Sequence, residues 1–172
     1  MFRAIEKWRG RLDAMVHNAG NVEPALLVRM QAEKFDEVIR THLKGGFLCT
    51  RAAARIMIKK KKGSIIYIGS MLGPRGVAGE CNYAAAKAGL IGLAKSAARE
   101  LGKFKICVNV VFPGYMLTKM GREAGEKVVR TVGQENVLSG WTDPDDSARM
   151  IVALSGAPWI SGQVFNLDGR IL

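Results

Sequence analysis

Short apolar runs and longer amphipathic stretches alternate along this 172-residue chain. Leu12 to Val16 (LDAMV) is short and apolar and runs out at Ala19-Gly20, which reads as a buried strand ending in a loop. Ser64 to Ile68 (SIIYI), Ile106 to Phe112 (ICVNVVF) and Gln163 to Leu167 (QVFNL) repeat the pattern, and Gly69-Ser70 and Pro113-Gly114 close the first two. Between them lie helical spacings. Phe35, Val38, Ile39, Leu43, Phe47 and Leu48 predict a long helix over Glu33 to Ile58, bent at Gly45-Gly46. Tyr83 to Leu101 is rich in Ala, Leu, Ile and Gly without proline, so a buried helix is expected there, with Gly102 as its C-cap. Asp143-Pro144-Asp145-Asp146 supplies a cap, a first-turn proline and two acids for the positive helix end, predicting a helix to about Leu154.

The order strand, helix, strand, helix, strand, helix, strand implies an α/β fold: a Rossmann-like parallel sheet of about four strands, with right-handed crossovers and helices on both faces. Residues 1–172 form one domain on this reading, without internal repeat, low-complexity tract or linker. Two segments stand outside the pattern. Gly73, Pro74, Gly76 and Gly79 mark an irregular loop, and Tyr115 to Trp141 is the least patterned stretch, of the kind that often serves as a lid or binding loop.

Composition, 48% hydrophobic and 24% charged, is that of a chain able to bury a core. The formal charge of +11 raises nucleic acid as a partner, but the basic residues are scattered and only Lys59 to Lys62 form a run. That run ends a predicted helix, where cations suit the negative end of the dipole. An acidic protein partner accounts for the charge at least as well. Cys49, Cys81 and Cys107 lie far apart with no C-x-x-C pair, so neither a zinc site nor a disulfide framework is indicated and a reducing cytoplasm is expected. No apolar run is long enough to span a bilayer, and the basic opening reads as a helix leading into the first strand.

Chemistry concentrates around Tyr83. Lys87 lies four residues on, hence on the same helix face. A phenol normally loses its proton near pH 10, and a neighbouring ammonium is expected to favour phenolate and bring the hydroxyl toward acid/base work. Ser70, at a strand end thirteen residues earlier, supplies a hydroxyl that can donate to a carbonyl. The bare pair is not specific: Tyr115 and Lys119 have the same spacing but follow Pro113-Gly114 with no serine-bearing strand end before them.

Context decides. His17-Asn18-Ala19-Gly20, Ser64 to Ser70 (SIIYIGS), Asn82 to Leu90 (NYAAAKAGL), Val108 to Gly114 (VNVVFPG) and Ser161 to Gly169 (SGQVFNLDG) occur together, in an order and spacing that closely resembles the short-chain dehydrogenase/reductase family. Gly79 to Glu100 is most similar to 3-oxoacyl-[acyl-carrier-protein] reductases. The resemblance implies an NADP- or NAD-dependent enzyme that reduces a ketone, such as a 3-oxoacyl thioester, or oxidises a secondary alcohol. It implies that Ser70 polarises the substrate oxygen, that Tyr83 is the acid/base and that Lys87 also holds the nicotinamide ribose. Asn18, Ala19 and Gly20 match the loop beside the adenosine ribose. Pro113, Gly114, Met116 and Thr118 match the segment along the nicotinamide. A homo-oligomer is implied too, and the Ala- and Gly-rich faces of the two long helices suit close helix packing.

The chain departs from the family pattern in four places. His42 stands where the family has a relay asparagine, and because imidazole can donate and accept, a catalytic relay role and a satisfied helix histidine are both open. His17 replaces the first asparagine of N-N-A-G, and Gly169-Arg170 replaces a glycine pair. No G-x-x-x-G-x-G occurs anywhere in the chain, although family members begin with a strand and a glycine-rich turn that hold the pyrophosphate. The expectation is therefore an N-terminally truncated fold. It carries the catalytic part of the enzyme or, alternatively, is an inactive homologue that pairs with full-length relatives.

Overall fold

The structure, a computed structural model, describes residues 1–138 and 140–171. Four parallel strands form one sheet in the order β1 (Ala14–His17), β2 (Gly63–Ile68), β3 (Ile106–Phe112), β4 (Val164–Asn166). The helices are α1 (Phe2–Arg9), α2 (Ala32–Ile39), α3 (Gly45–Lys60), α4 (Leu72–Arg75), α5 (Cys81–Leu101), α6 (Lys119–Glu123), α7 (Glu126–Glu135) and α8 (Pro144–Ser155). The α/β class, the parallel pairing and the four strands agree with the hydrophobic pattern.

Period-2 alternation sorts each strand's side chains between two layers. Met15, Ile65, Tyr67, Val108 and Val110 face α3 and α5, packing on Ala53, Met57, Leu90, Ala94 and Ala97. Ile66 and Val111 face the other way, onto Leu154 of α8 with Ile151, Phe165 and Leu167 around them. Helices therefore cover both faces. Asn109, fully buried in β3, is structural: its amide donates to the Ile160 carbonyl at 2.7 Å and its Oδ1 accepts from the Gln163 N–H at 3.0 Å, docking the approach to β4.

The long helix is continuous rather than broken at its glycines. A π-helical turn, Arg40–Lys44, joins α2 to α3, and Gly45 and Gly46 lie in regular helix just beyond it. Close approach explains Gly46, since a Cβ there would come within 3.0 Å of Leu90 and 3.2 Å of the His17 ring. Gly102 caps α5 as expected, its N–H donating to the Ala98 carbonyl, but in the right-handed rather than the left-handed region. The chain continues through a 3₁₀ turn, Gly102–Phe104, and the left-handed residue is Lys105. Tyr115 to Trp141, expected to be irregular, holds α6 and α7; Ser139 within it lies outside the described residues. Among the described residues no helix is long and apolar enough to cross a membrane.

Candidate active site

Strand β2 points its C-terminal end at the first turns of α5. The Gly69 N–H donates to the Val111 carbonyl at 2.8 Å, extending the β2–β3 ladder by one residue and fixing where Ser70 starts. The chain then turns into α4, which rests directly on α5. A Cβ on Gly73 would approach the Ala88 backbone nitrogen to 2.8 Å, so only glycine permits this seating. The Ser70 hydroxyl accepts from the Leu72 N–H at 3.2 Å and lies beside Tyr83.

Tyr83 and Lys87 share one face of α5, as their spacing requires, and the Lys87 ammonium stands over the Tyr83 ring at 5.3 Å from its centroid. Lys87 is buried, and its Nζ donates to the Ile68 carbonyl at 2.7 Å. That is its one hydrogen bond among the described residues, leaving two of three N–H donors free. Burial brings the ammonium down to about 8. Burial also pushes the Tyr83 phenol up to about 12, with the Glu80 carboxylate adding to the push and the Ser70 hydroxyl pulling against it. The ammonium was expected to draw this phenol toward phenolate. In the structure it lies against the ring and bonds a backbone carbonyl, so loss of hydration dominates and Tyr83 keeps its proton.

His42 joins this cluster from the π-helical turn. Its ring meets Tyr83 edge-on at 5.3 Å, and its Nε2 lies 2.8 Å from the Asn21 carbonyl and 3.1 Å from the Asn21 N–H. Nδ1 is buried without a partner among the described residues. Burial, with the Lys87 charge, takes this imidazole down to about 4, so it is neutral at ordinary pH. The same ring abuts Gly20, where any Cβ would collide with it. Asn18, Ala19 and Gly20 thus form an exposed loop resting on His42. His17 completes the arrangement, its Nε2 donating to the His42 carbonyl at 2.9 Å.

A family profile described as enoyl-(acyl carrier protein) reductase matches residues 1–169. The chain is 41% identical to 3-oxoacyl-[acyl-carrier-protein] reductase MabA of Mycobacterium avium, over 98% of this chain and 67% of that protein. It is 39% identical to 3-oxoacyl-[acyl-carrier-protein] reductase FabG of Thermotoga maritima, over 99% of this chain and 70% of that protein. The 3-oxoacyl-[acyl-carrier-protein] reductase of a Synechocystis species is 40% identical over 94% of this chain and 66% of its own length. The chain belongs to the short-chain dehydrogenase/reductase family.

The remaining positions matched to the short-chain dehydrogenase/reductase pattern lie after β3. The Pro113 carbonyl accepts from the Ser147 hydroxyl at 2.7 Å, Gly114 has a φ of 89° and packs its open side on Thr142, and Thr118 caps α6 through Gly121. Among the described residues neither Met116 nor Thr118 hydrogen-bonds to Ser70, Tyr83 or Lys87. Two residues were not singled out from the sequence. Asn82, fully buried, donates to the Glu23 carbonyl at 2.9 Å and accepts from the Tyr83 N–H, fixing the first turn of α5. Glu80 is half-buried one turn before Tyr83, and its carboxyl is held above the ordinary carboxylate range by burial. A helix-start position was the available signal for both.

Proposed function

We propose that this chain carries the catalytic part of an NADP- or NAD-dependent ketone reductase whose substrate is a 3-oxoacyl thioester on a carrier protein. One observation carries the reading: Ser70, Tyr83 and Lys87 meet at the mouth of the β2–α5 crossover, with the tyrosine protonated and the lysine buried but holding two unused donors. The donor set fits the ribose end of a nicotinamide cofactor. A buried ammonium with spare N–H groups favours hydroxyl and carbonyl oxygens, and the Gly20 loop gives open backbone nearby. The nicotinamide, when bound, supplies the hydride.

Everything else falls to the chain's own residues. Ser70 donates to the substrate carbonyl and orients it. Tyr83, protonated at working pH, delivers its phenolic proton as charge develops on that oxygen, as a general acid does in the reductive direction. Lys87 stabilises the phenolate left behind, and its remaining donors would hold the ribose hydroxyls. His42 acts as a neutral relay and positioning group between the Asn18-Ala19-Gly20 loop and Tyr83. Pro113, Gly114, Met116 and Thr118 would hold the nicotinamide side.

The carrier-linked substrate is favoured by the names of the relatives and by the +11 charge, which suits an acidic carrier. A homo-oligomer and a cytoplasmic setting belong to the same proposal, the latter supported by three free thiols. A salt series tests the substrate class. Because screening shortens to about 8 Å at physiological ionic strength, kcat/KM for a carrier-linked ketone should fall with salt, while a small free ketone stays level. Equal salt dependence for the two substrates would remove the carrier from the proposal.

A further inference from the structure

Four charged side chains from three separate parts of the chain stand in line beside this site. Arg75 ends α4, five residues after Ser70; Glu135 ends α7; Asp168 and Arg170 follow β4. Arg75 donates through Nη1 and Nη2 to the two Glu135 carboxylate oxygens at 2.8 and 2.9 Å. Glu135 Oε2 also lies 3.9 Å from Arg170 Nη1. Arg170 in turn donates through Nε and Nη2 to the two Asp168 oxygens at 2.7 and 2.6 Å. The inner pair is buried, with side chains 8% and 4% exposed, whereas Arg75 and Glu135 are 45% and 33% exposed.

The inner pair is the anchor and the outer pair the clasp. Forked arginine–carboxylate contacts hold geometry as well as charge. Arg75 sits on a helix that Gly73 seats rigidly on α5, so the clasp reaches α7 from a fixed point. Beside it the Val137 N–H donates to the Gly169 carbonyl at 3.0 Å. Apolar burial does little here: α7 buries only Val132, and α6 buries nothing. A segment with so few buried contacts belongs to the low-stability end of a fold, and a fixed ionic contact then decides where it rests. The Arg170 guanidinium further lies 5.8 Å from the Tyr115 ring centroid, and Tyr115 packs on Trp141 at 5.7 Å, so the start of the segment is tied to the same anchor.

We propose that Arg75 and Glu135, anchored on Arg170 and Asp168, form an ionic latch that fixes α7 against the Ser70-bearing loop, making both residues positioning groups for the substrate. The latch accounts for Arg170 at the place where the family has glycine. Its positioning role rests on the reductase reading above; its existence does not.

Hydrogen exchange on the full chain tests it, comparing wild type, Arg75→Gln, Glu135→Gln and the double variant. Amides of 126–135 should exchange about three-fold or more faster in each single variant, as expected for losing a networked pair. The double variant should be no faster than the faster single, because the two residues act through one contact. Amides of β2, β3 and α5 should not change, which controls for misfolding, and Arg75→Lys, retaining the charge without the fork, should be intermediate. Unchanged exchange over 126–135, or a double variant accelerated by the product of the singles, overturns the latch. With a 3-oxoacyl thioester and the chain preceded by the family's glycine-rich strand–turn–helix unit, Glu135→Gln should raise KM by a larger factor than it lowers kcat; the reverse split overturns the positioning role. Absence of turnover in that extended protein without the substitution would instead sink the reductase reading while the exchange pattern still decides the latch.

Discussion

Replacing Lys87 by methionine should remove a pH dependence of stability that the buried ammonium imposes. Its shift from an ordinary 10.5 to about 8 corresponds, at about 1.4 kcal/mol per pH unit, to about 3 kcal/mol. The sign follows from proton binding. Between these values the unfolded chain holds a proton on Lys87 that the folded chain has released, so folding stability rises with pH across the window and is lost as pH falls toward 8. Tyr83 and Tyr67, both pushed up to about 12 chiefly by burial, work in the opposite direction above pH 10 as unfolded tyrosines ionise, and Cys107, whose thiol burial holds above its ordinary value, opposes Lys87 within about pH 8 to 9.5 but does so in both proteins. Urea unfolding followed by circular dichroism should therefore show the wild type gaining about 1.5 to 2 kcal/mol relative to Lys87→Met over about pH 8 to 9.5. Methionine fills the same space without a charge to desolvate, so only the shared titrations remain in the variant. Parallel curves for the two proteins would refute the reasoning and place the ammonium in contact with water. The same cost makes Lys87 receptive: a ligand that engages its free donors relieves part of the desolvation.

His42→Asn should improve acid tolerance. The wild-type imidazole, taken from 6.5 to about 4, loses stability as pH falls from 6.5 toward 4, about 2 to 3 kcal/mol by pH 4.5, and urea midpoints at the two pH values should show asparagine free of that loss. His17, also lowered mainly by burial, contributes a smaller dependence that persists in the variant, and identical acid profiles would place His42 in solvent. Gly73→Ala should cost about 1 to 3 kcal/mol in the same assay and lower turnover, since its Cβ presses on the α5 backbone; an unperturbed variant would mean that α4 can lift from α5.

The sheet was legible because its signals are redundant. Ile106–Phe112 is apolar throughout and stopped by proline, so β3 could be read residue for residue, while β1 and β4, with weaker flanks, differ at their ends by one or two residues. Glycine was the ambiguous letter. At Gly45-Gly46 it was read as a bend, whereas Gly46 is there for close packing on Leu90 and His17; Gly102 does cap α5, but in the right-handed region and followed by a 3₁₀ turn. In the Tyr115–Trp141 stretch, Gly121, Gly125 and Gly133 masked the spacing of Val128, Val129 and Val132 that marks α7. Ser70, Tyr83 and Lys87 were legible through motif and spacing together. Their protonation was not, because it depends on burial contributed by distant segments, and the Arg75–Glu135 contact spans sixty residues with no local pattern. The π-helical turn that carries His42 likewise has no sequence signature.

The most direct test of the central claim, that Tyr83 delivers the proton in a nicotinamide-dependent ketone reduction, is the rate of NADPH oxidation with a 3-oxoacyl thioester. It should be measured on this chain and on the chain preceded by the glycine-rich strand–turn–helix unit typical of the family, each with Tyr83 or with Tyr83→Phe. The 172-residue chain, in which no G-x-x-x-G-x-G occurs, should bind NADPH weakly. The extended protein should turn over, and Tyr83→Phe should slow it by about 100- to 10,000-fold, the usual cost of removing a general acid, with NADPH fluorescence titrations unchanged. Turnover by the phenylalanine variant within a factor of about two of the tyrosine protein would contradict the account.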